Sequence, residues 1–283
     1  MSYICDVEFE LGSDDTGFAL SFIVTGLIVI ARTHLSSIPH CLGTCITRPP
    51  KETMRLYLAS TSPARLMLLR SAGIEPITLA PEVDETAVAD AAAAAAGVQL
   101  APHEVVQLLA QAKAEAVVDM LLGGAGPADG AEKGTSDGTV PAQGLVLGGD
   151  SVFVLDGVIY GKPHTAEKAA ERWRLQRGRT GQLYSGHWLI ELVDGVALRA
   201  HGAVAVAQVT FADDITDSEL DAYIATGEPL YVAGAFTIDS LGAPFITSIA
   251  GDPSTVVGLS LPTLRRLVRE LGHEWPSLWN RAA

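Results

Sequence analysis

The feature that most constrains this chain is an abrupt change of pattern between residues 56 and 65. The apolar run Leu-Tyr-Leu-Ala ends in three hydroxyl residues, and Pro63 then opens a helical pattern with Arg65 in its first turn. Ser62 suits an N-cap, and Gly73 stands where a helix should end. A strand that leads into a helix N-terminus predicts an anion site, because backbone N–H groups, the helix dipole and the arginine converge there. The alternative is an ordinary strand–helix junction with a surface arginine.

A second chemical signal lies around Asp150, which follows a short apolar run and is expected at the end of a buried strand. Two further apolar runs flank Asp156-Gly157, a pair typical of a two-residue hairpin turn. This hairpin would bring Lys162 back towards Asp150. An acid beside a lysine suits a phosphate-bearing substrate with a bound metal ion. Either residue alone is equally well explained as a turn aspartate or a surface lysine.

Glycine is dense between residues 227 and 259, with apolar residues interleaved throughout. Such glycines indicate backbone with positive φ, or close approach of the backbone to a ligand or another strand. Tight packing of loops explains them equally well.

The remaining pattern alternates between helices and strands. Residues 87–96 are an alanine run, and residues 103–122 carry apolar side chains at helical spacing with Lys113 on or beside the apolar face. This lysine either reaches into a cleft or extends to the surface. Residues 123–144 are rich in Gly, Ala, Ser and Asp and predict a mobile loop. Thr165 is expected to open a helix at 166–177, and a capping box at 216–219 is expected to open a second helix at 217–227. Further strands are expected at 182–193 and 202–211.

Composition narrows the class of partner. The 283 residues are 48% hydrophobic, enough for one large or two small cores. A formal net charge of −14 argues against nucleic-acid binding, because the summed field repels a polyanion. A small anionic substrate is still compatible with this net charge if the positive charges of Arg65, Lys113 and Lys162 converge at one site and a divalent cation adds to them.

All three cysteines, Cys5, Cys41 and Cys45, lie near the start of the chain. The remainder needs neither a disulfide nor a thiolate metal site and suits a reducing cytoplasm. Cys41 and Cys45 with His34 and His40 have loose spacing and no second pair, so we do not predict a zinc site.

The first 53 residues follow a different pattern. Their apolar stretch, residues 17–31, is shorter than the roughly 20 residues of a spanning helix, and acidic residues precede it where a signal peptide carries positive charge. We expect no stable membrane insertion. We hypothesise that translation begins at Met54 and that the preceding segment is not part of the fold; a membrane-associating leader is the competing view.

Taken together, the motifs from about residue 55 to about residue 271 resemble those of the Maf family of nucleotide pyrophosphatases. The resemblance rests on motifs in the same order: Ser-x-Ser-Pro-x-Arg at 60–65, Val-Asp-Glu at 83–85, an Ala-x-x-Lys-Ala-like stretch around Lys113, Gly-x-Asp-Ser at 148–151, Gly-Lys-Pro at 161–163, Gly-Arg-Thr at 178–180, the Gly-Glu-Pro-Leu and Ala-Gly-Ala-Phe block, and Val-Val-Gly-Leu at 256–259.

The resemblance implies one α/β domain at about 54–275, with a mixed, twisted sheet of the Maf and inosine triphosphatase type, flanking helices and a long central cleft. It implies an enzyme acting on acid anhydrides, which hydrolyses a nucleoside triphosphate, standard or modified, to the monophosphate and diphosphate with Mg²⁺ or Mn²⁺. A homodimer is left open. The expected residues are Asp150 as base and metal ligand, Glu85 and less clearly Asp84 as further ligands, and Ser60, Ser62, Arg65, Lys113 and Lys162 on the phosphates.

Asp150 can act as a base in two ways that the sequence does not separate. An aspartate with a pKa near 3.9 is a weak base at neutral pH. It would either hold a cation that acidifies water or have its own pKa raised in a dry cleft.

Base preference is expected to depend on Ala64, Ser151 and Asp239, where branches of the family differ. This chain matches neither the pyrimidine-favouring nor the methylguanosine-favouring pattern, so we expect uncertain or broad base choice. Tyr231-Val232 also departs from a common Asp-Lys at that place. The alternatives are a nucleotidyltransferase and a non-enzymatic cell-division regulator that binds nucleotide or protein. A P-loop NTPase is excluded, because no Gly-x-x-x-x-Gly-Lys-Ser/Thr is present.

Overall fold

A computed structural model describes residues 53–123 and 143–281, together with short strands between residues 13 and 31. The chain divides into two units, Met1–Pro49 and Pro50–Ala283. In the first, β1 (Ser13–Asp14) pairs with β2 (Gly17–Phe18), and β3 (Leu20–Val24) pairs with β4 (Leu27–Ala31), both antiparallel. The three cysteines and nearly all of the loop predicted at 123–144 lie outside the described residues.

The second unit is built on a mixed sheet of seven strands, in the order β11-β10-β9-β7-β5-β6 with β8 beside β7. Strand β5 runs parallel to β6 and β7, and the other pairs are antiparallel. This confirms the mixed α/β fold. The strands are β5 (Leu56–Ala59), β6 (Ile77–Leu79), β7 (Gly144–Leu155), β8 (Val158–Tyr160), β9 (Thr180–Val193), β10 (Val196–Phe211) and β11 (Ile246–Ala250).

Helices pack on both faces of this sheet. They are α1 (Pro63–Ser71), α2 (Glu85–Ala96), α3 (Pro102–Leu121), α4 (Ala166–Gln176), α5 (Asp217–Ala225), α6 (Pro253–Val257) and α7 (Leu261–Glu270), with 3-10 turns at Glu228–Tyr231, Ala233–Ala235, Ala243–Phe245 and Trp275–Leu278. None of the described helices has the length and apolar character that crossing a bilayer requires. The predicted N-caps Ser62, Thr165 and Thr216 are confirmed, since each side chain accepts from the backbone N–H three residues later.

Side chains alternate along β7 and divide its residues between the two faces of the sheet. Leu145 and Leu147 belong to a core shared with α1 and α7, whereas Val146 packs with residues of α3. By this alternation Gly149 and Ser151 lie on the α1/α7 face and Asp150 lies on the α3 face. A separate core at the far end of β7 includes Phe153, Trp173 and Phe211.

The edge of β7 that faces β5 is open in the middle of the strand. Strand β5 pairs with β7 only as far as Ala59 opposite Gly148, and pairing with β8 begins at Phe153 opposite Tyr160. On the other edge β9 pairs continuously along β7. The expectation that the strand ends at Asp150 is therefore wrong, because β7 continues to Leu155 and it is the neighbouring strand that ends.

Two glycines let α3 lie directly on the sheet. A Cβ atom on Gly148 would lie 2.0 Å from the carbonyl oxygen of Ala110, and one on Gly186 would lie 2.1 Å from that of Val106. No other residue fits at such distances, so the helix approaches β7 and β9 backbone to backbone. Lys113 follows Ala110 by almost one turn and is thereby carried over Asp150.

Candidate active site at the open edge of strand β7

The centre of the candidate site is a lysine that bridges two carboxylates. Lys113 Nζ lies 2.7 Å from Asp150 Oδ1 and 2.8 Å from Glu85 Oε1. Lys113 and Asp150 are 7% exposed, whereas the Glu85 side chain is 54% exposed. Burial raises the pKa of Asp150, opposed by the positive charges of Lys113 and Arg65. Lys113 therefore reaches into the site and does not extend to the surface.

The acids at the start of α2 have separate roles. Asp84 is the N-cap, and its Oδ1 accepts the backbone N–H of Ala87 at 3.0 Å. Glu85, in the first turn, turns its carboxylate to Lys113. The geometry favours Asp84 as a helix cap and brings only Glu85 to Asp150.

Arg65 lies against the opposite face of β7, where its guanidinium has three neutral partners. Nε donates to Gly258 O at 2.8 Å, Nη1 to Ser60 Oγ at 3.0 Å and Nη2 to Ser151 Oγ at 3.0 Å. Burial lowers the pKa of Arg65, and the negative charges of Asp150 and Glu85 act in the other direction. Arg65 forms no ion pair with a carboxylate of the described residues. It thus holds a buried positive charge that an anion can compensate.

Residues that the sequence analysis did not single out support this arginine. Ser151 Oγ lies 2.9 Å from Ser185 Oγ, which donates to Thr255 O at 2.9 Å. Gly258 has φ 117°, the positive range in which glycine is favoured, and this turns its carbonyl group to Arg65. The glycine-dense pattern could have indicated Gly258. Ser185 lies within an unbroken strand pattern and gives no comparable signal.

A buried histidine fixes the start of α7 behind the arginine. His187 Nε2 accepts the backbone N–H of Ser260 at 2.8 Å, so the imidazole is neutral with its proton on the other nitrogen. Burial, together with the charge of Arg65, lowers the pKa of His187 to about 4. The sequence analysis did not identify this residue.

The two predicted phosphate-binding serines are both part of the strand–helix junction. Ser60 Oγ accepts from Arg65 Nη1 and from the Ser62 backbone N–H, at 3.0 and 3.2 Å. Ser62 Oγ accepts the Arg65 backbone N–H at 3.5 Å as the N-cap of α1. Because a hydroxyl can accept and donate at once, both retain a hydrogen that could reach a phosphate oxygen.

Lys162 is exposed, two residues beyond β8. The turn between β7 and β8 has positive φ at Asp156 (53°) and Gly157 (79°), which confirms the predicted hairpin. The β7–β8 register continued by two residues sets Lys162 opposite Ser151, beside Asp150 in the chain. No direct contact of Lys162 with Asp150 is seen among the described residues.

The residues expected to govern base choice lie on separate segments. Ala64 is the second residue of α1 and Ser151 lies in β7, where its hydroxyl bonds Arg65. Asp239 is exposed, in the loop between the 3-10 turns at Ala233–Ala235 and Ala243–Phe245. Of the three, the structure brings only Ser151 into direct contact with the arginine site.

Comparison with known proteins places this arrangement in a family. A family model described as "Maf-like protein" matches residues 55–271, more than half of the chain. The chain belongs to this Maf-like family.

The Maf-like region also has curated relatives, and several of them carry the name nucleoside triphosphate pyrophosphatase. The protein of Leifsonia xyli subsp. xyli is 62% identical over 229 residues, covering 81% of this chain and 98% of its own length. That of Corynebacterium diphtheriae is 43% identical, covering 80% and 99%. That of Salinispora tropica is 46% identical, covering 81% and 88%.

The donor chemistry of the Maf-like site fits a divalent cation. Asp150 and Glu85 present oxygen atoms on either side of one ammonium group, and a hard cation such as Mg²⁺ binds one or two carboxylates together with substrate phosphates. Across residues 53–123 and 143–281, no group of three or more His, Cys, Asp or Glu side chains could hold a metal on its own. The residues therefore fit a cation that is shared with a phosphate.

One cavity within residues 53–123 and 143–281 lies away from this site. A cavity of about 600 Å³ is lined by residues of α1, α7 and the C-terminal segment, including Trp275 and Trp279, and by none of the predicted site residues. Its walls are largely apolar, and it lacks a carboxylate. The chemistry places the candidate site at β7.

Proposed function

We propose that this Maf-like chain is a nucleoside triphosphate pyrophosphatase that cleaves a ribo- or deoxyribonucleoside triphosphate between the α- and β-phosphates. The observation that carries the proposal is that two buried ionisable side chains lie at the open edge of β7, one on each face of the strand. Asp150, with a raised pKa, is on one face of the strand, and the guanidinium of Arg65, held by neutral acceptors, is on the other. The names of its relatives support the same activity.

The reaction needs a base, compensation of phosphate charge and an in-line arrangement. In our proposal Asp150 accepts a proton from water as the water oxygen bonds to the α-phosphorus. The bond from that phosphorus to the bridging oxygen breaks, and diphosphate leaves with the bonding electron pair. A carboxylate whose pKa is raised by burial is a stronger base than an exposed one, which suits this role.

In our proposal the cationic side chains bind the phosphates of the substrate. Arg65 offers a buried charge next to the hydroxyls of Ser60 and Ser62, and Lys162 adds an exposed charge at the mouth of the site. Lys113 opposes the effect of burial on the pKa of Asp150, because its ammonium stabilises the charged form of the carboxylate.

Asp150 and Glu85 would hold a divalent cation, Mg²⁺ or Mn²⁺. When bound, such a cation supplies positive charge that neutralises the triphosphate and lowers the pKa of water. The two carboxylates already share Lys113, so the protein provides both oxygens at one place before any substrate arrives.

We further propose that base choice is broad but graded, with Asp239 as the group that discriminates among bases. Ala64 offers no aromatic face on which a base could stack, and the hydroxyl of Ser151 already bonds Arg65 Nη2. The exposed carboxylate of Asp239 would accept hydrogen bonds from a base edge.

The test uses the full chain beside its Asp150→Asn variant, assayed with the common and several modified nucleoside triphosphates in Mg²⁺ and in Mn²⁺. We expect the wild type to form diphosphate and monophosphate in a metal-dependent reaction. In the variant we expect turnover to fall by a factor of about 10³ or more, while nucleotide still binds. Asp119→Asn, an exposed aspartate on α3, is the matched control. Wild-type rates in Asp150→Asn would overturn the assignment. Turnover only with an added acceptor would indicate a nucleotidyltransferase, and binding without turnover a regulator.

A further inference from the structure

Glu228 is the centre of a hydrogen-bond cluster that the proposed chemistry does not use. It is the first residue of the 3-10 turn Glu228–Tyr231, which follows α5. Its carboxylate accepts from five donors: Tyr223 Oη at 3.0 Å, Thr237 Oγ1 at 2.5 Å, Ser240 Oγ at 2.7 Å, and the backbone N–H groups of Leu241 at 3.3 Å and Gly242 at 3.1 Å.

Four of these five donors belong to one short loop, residues 237–242, and they flank Asp239 on both sides. Thr237 precedes Asp239, and the other three follow it. The ends of the loop also touch, because the backbone N–H of Gly242 donates to Thr237 Oγ1 at 3.2 Å. The loop therefore closes around the carboxylate of Glu228 and leaves Asp239 exposed at its tip.

A carboxylate is suited to this position, because its two oxygens accept several hydrogen bonds while donating none. Bonds to a charged acceptor are roughly twice as strong as neutral ones. Partial burial opposes ionisation of Glu228, but the bonds from Thr237, Ser240 and Tyr223 outweigh it and hold its pKa below the ordinary value. Glu228 is thus ionised at neutral pH, and the loop is held by charge-assisted bonds.

The same 3-10 turn is bonded to the segment that carries Lys162. The backbone N–H of His164 donates to Leu230 O at 2.9 Å, and the rings of His164 and Tyr231 meet edge to face with centroids 6.0 Å apart. One turn therefore contacts two segments for which we propose substrate contacts, one with the phosphates and one with the base.

We infer that Glu228 is a positioning residue for nucleobase recognition. It holds the 237–242 loop so that the carboxylate of Asp239 meets the edge of the base, while the turn that it begins anchors the Lys162 segment. This inference rests on the proposed nucleotide site. Glu228 itself touches no substrate in this account, and discrimination among bases depends on it through Asp239.

The test compares Glu228→Gln with Glu219→Gln in the full chain. Glutamine at 228 keeps the shape but turns an NH₂ group towards loop donors, which disrupts the cluster. Glu219 is a matched control, since its carboxylate also closes a turn by accepting the backbone N–H and Oγ1 of Thr216, in the capping box of α5. For Glu228→Gln we expect KM for the best nucleotide to rise about tenfold with kcat within about twofold, and the ratio of kcat/KM between best and worst bases to fall about tenfold.

Dissociation constants measured for the same nucleotides on an Asp150→Asn background give a readout that needs no turnover. The discrimination in Kd should also fall with Glu228→Gln and stay unchanged with Glu219→Gln. If Glu228→Gln fails to fold, Ser240→Ala removes one donor alone and should shift the base ratio in the same direction.

Unchanged base discrimination in an active or nucleotide-binding Glu228→Gln protein would overturn the inference, as would an equal change in Glu219→Gln. A wild-type chain that binds nucleotides but hydrolyses none would instead contradict the proposed pyrophosphatase activity. In that case the Kd panel still decides the role of Glu228.

Discussion

Lys113 Nζ and Asp150 Oδ1 lie 2.7 Å apart, and the same nitrogen lies 2.8 Å from Glu85 Oε1. One buried ammonium therefore balances the two carboxylates for which we propose a divalent cation. A cation that binds both acids must share these oxygens with Lys113 or displace its ammonium towards the phosphates. Because the substrate phosphates would receive the displaced charge, cation and nucleotide should bind more tightly together than either alone.

The first prediction concerns this competition. In Lys113→Met the two carboxylates lose their internal counter-charge, so Mn²⁺ should bind the nucleotide-free protein about tenfold more tightly, a gain of roughly 1.4 kcal/mol. Calorimetric or paramagnetic titration near pH 8 measures this, where protonation of Asp150 competes least. Lys168→Met, an exposed lysine on α4, should leave the affinity unchanged. An unchanged or weaker Mn²⁺ affinity in Lys113→Met would contradict the competition.

The second prediction concerns the glycine that lets α3 approach the sheet. In Gly148→Ala the new methyl group would meet the carbonyl oxygen of Ala110 at 2.0 Å, so the backbones of α3 and β7 must separate, and we expect this to disturb the contact of Lys113 with Asp150. Overpacking of this kind costs about 1–3 kcal/mol or more, and activity should fall with stability. Gly161→Ala is the control for stability, since its Cβ would meet nothing within 4 Å. Denaturant midpoints of the two variants decide the matter, and equal midpoints would contradict the account.

Features set by neighbours in the chain could be predicted from the sequence. Ser62, Thr165 and Thr216 were identified as caps because a cap bonds an N–H group only three residues away. The Asp156-Gly157 turn was identified because both positions need positive φ. The predicted helix after Thr216 was too long at its C-terminus, where α5 ends at Ala225.

Features set by distant pairs could not be predicted in this way. Arg65 bonds the carbonyl group of Gly258, 193 residues further along the chain, and motif order gave the segments but not this contact. Ser185 and His187 lie in β9 within an unbroken strand pattern. Their roles depend on hydrogen bonds to residues that are distant in the sequence, such as Thr255 for Ser185 and Ser260 for His187. The three-residue strand β6 and the helix α7 also went unpredicted. The resemblance to a family supplied the expected site residues, whereas periodicity supplied only alternating strands and helices.

The third prediction concerns pH and His187. Its pKa is about 4 in the folded protein, lowered mainly by burial, against an ordinary value near 6.5. Between these values the unfolded chain binds the proton and the folded chain does not, so stability falls as pH decreases from about 6.5 to about 4. The full difference is roughly 3 kcal/mol.

The measurement is the free energy of unfolding of the wild type and of His187→Gln between pH 7.5 and pH 4. Glutamine can still accept from the Ser260 N–H but does not titrate, so the wild type should lose about 3 kcal/mol relative to this variant over that range. His103→Gln, an exposed residue of α3, should run parallel to the wild type. A constant difference between wild type and His187→Gln across the range would show that the histidine is not held neutral.

The last prediction separates binding from stability at Lys162. This side chain is exposed and forms no ion pair or hydrogen bond with the other described residues, so Lys162→Ala should change the free energy of unfolding by no more than about 0.5 kcal/mol. Loss of one charge-assisted contact to a phosphate should nevertheless raise KM about tenfold. Steady-state kinetics at low and high salt measure this, with Lys168→Ala as the control for loss of one exposed positive charge. Because a remote charge acts only through a field that salt screens, an effect confined to low salt or shared by Lys168→Ala would rule out direct contact between Lys162 and the phosphates.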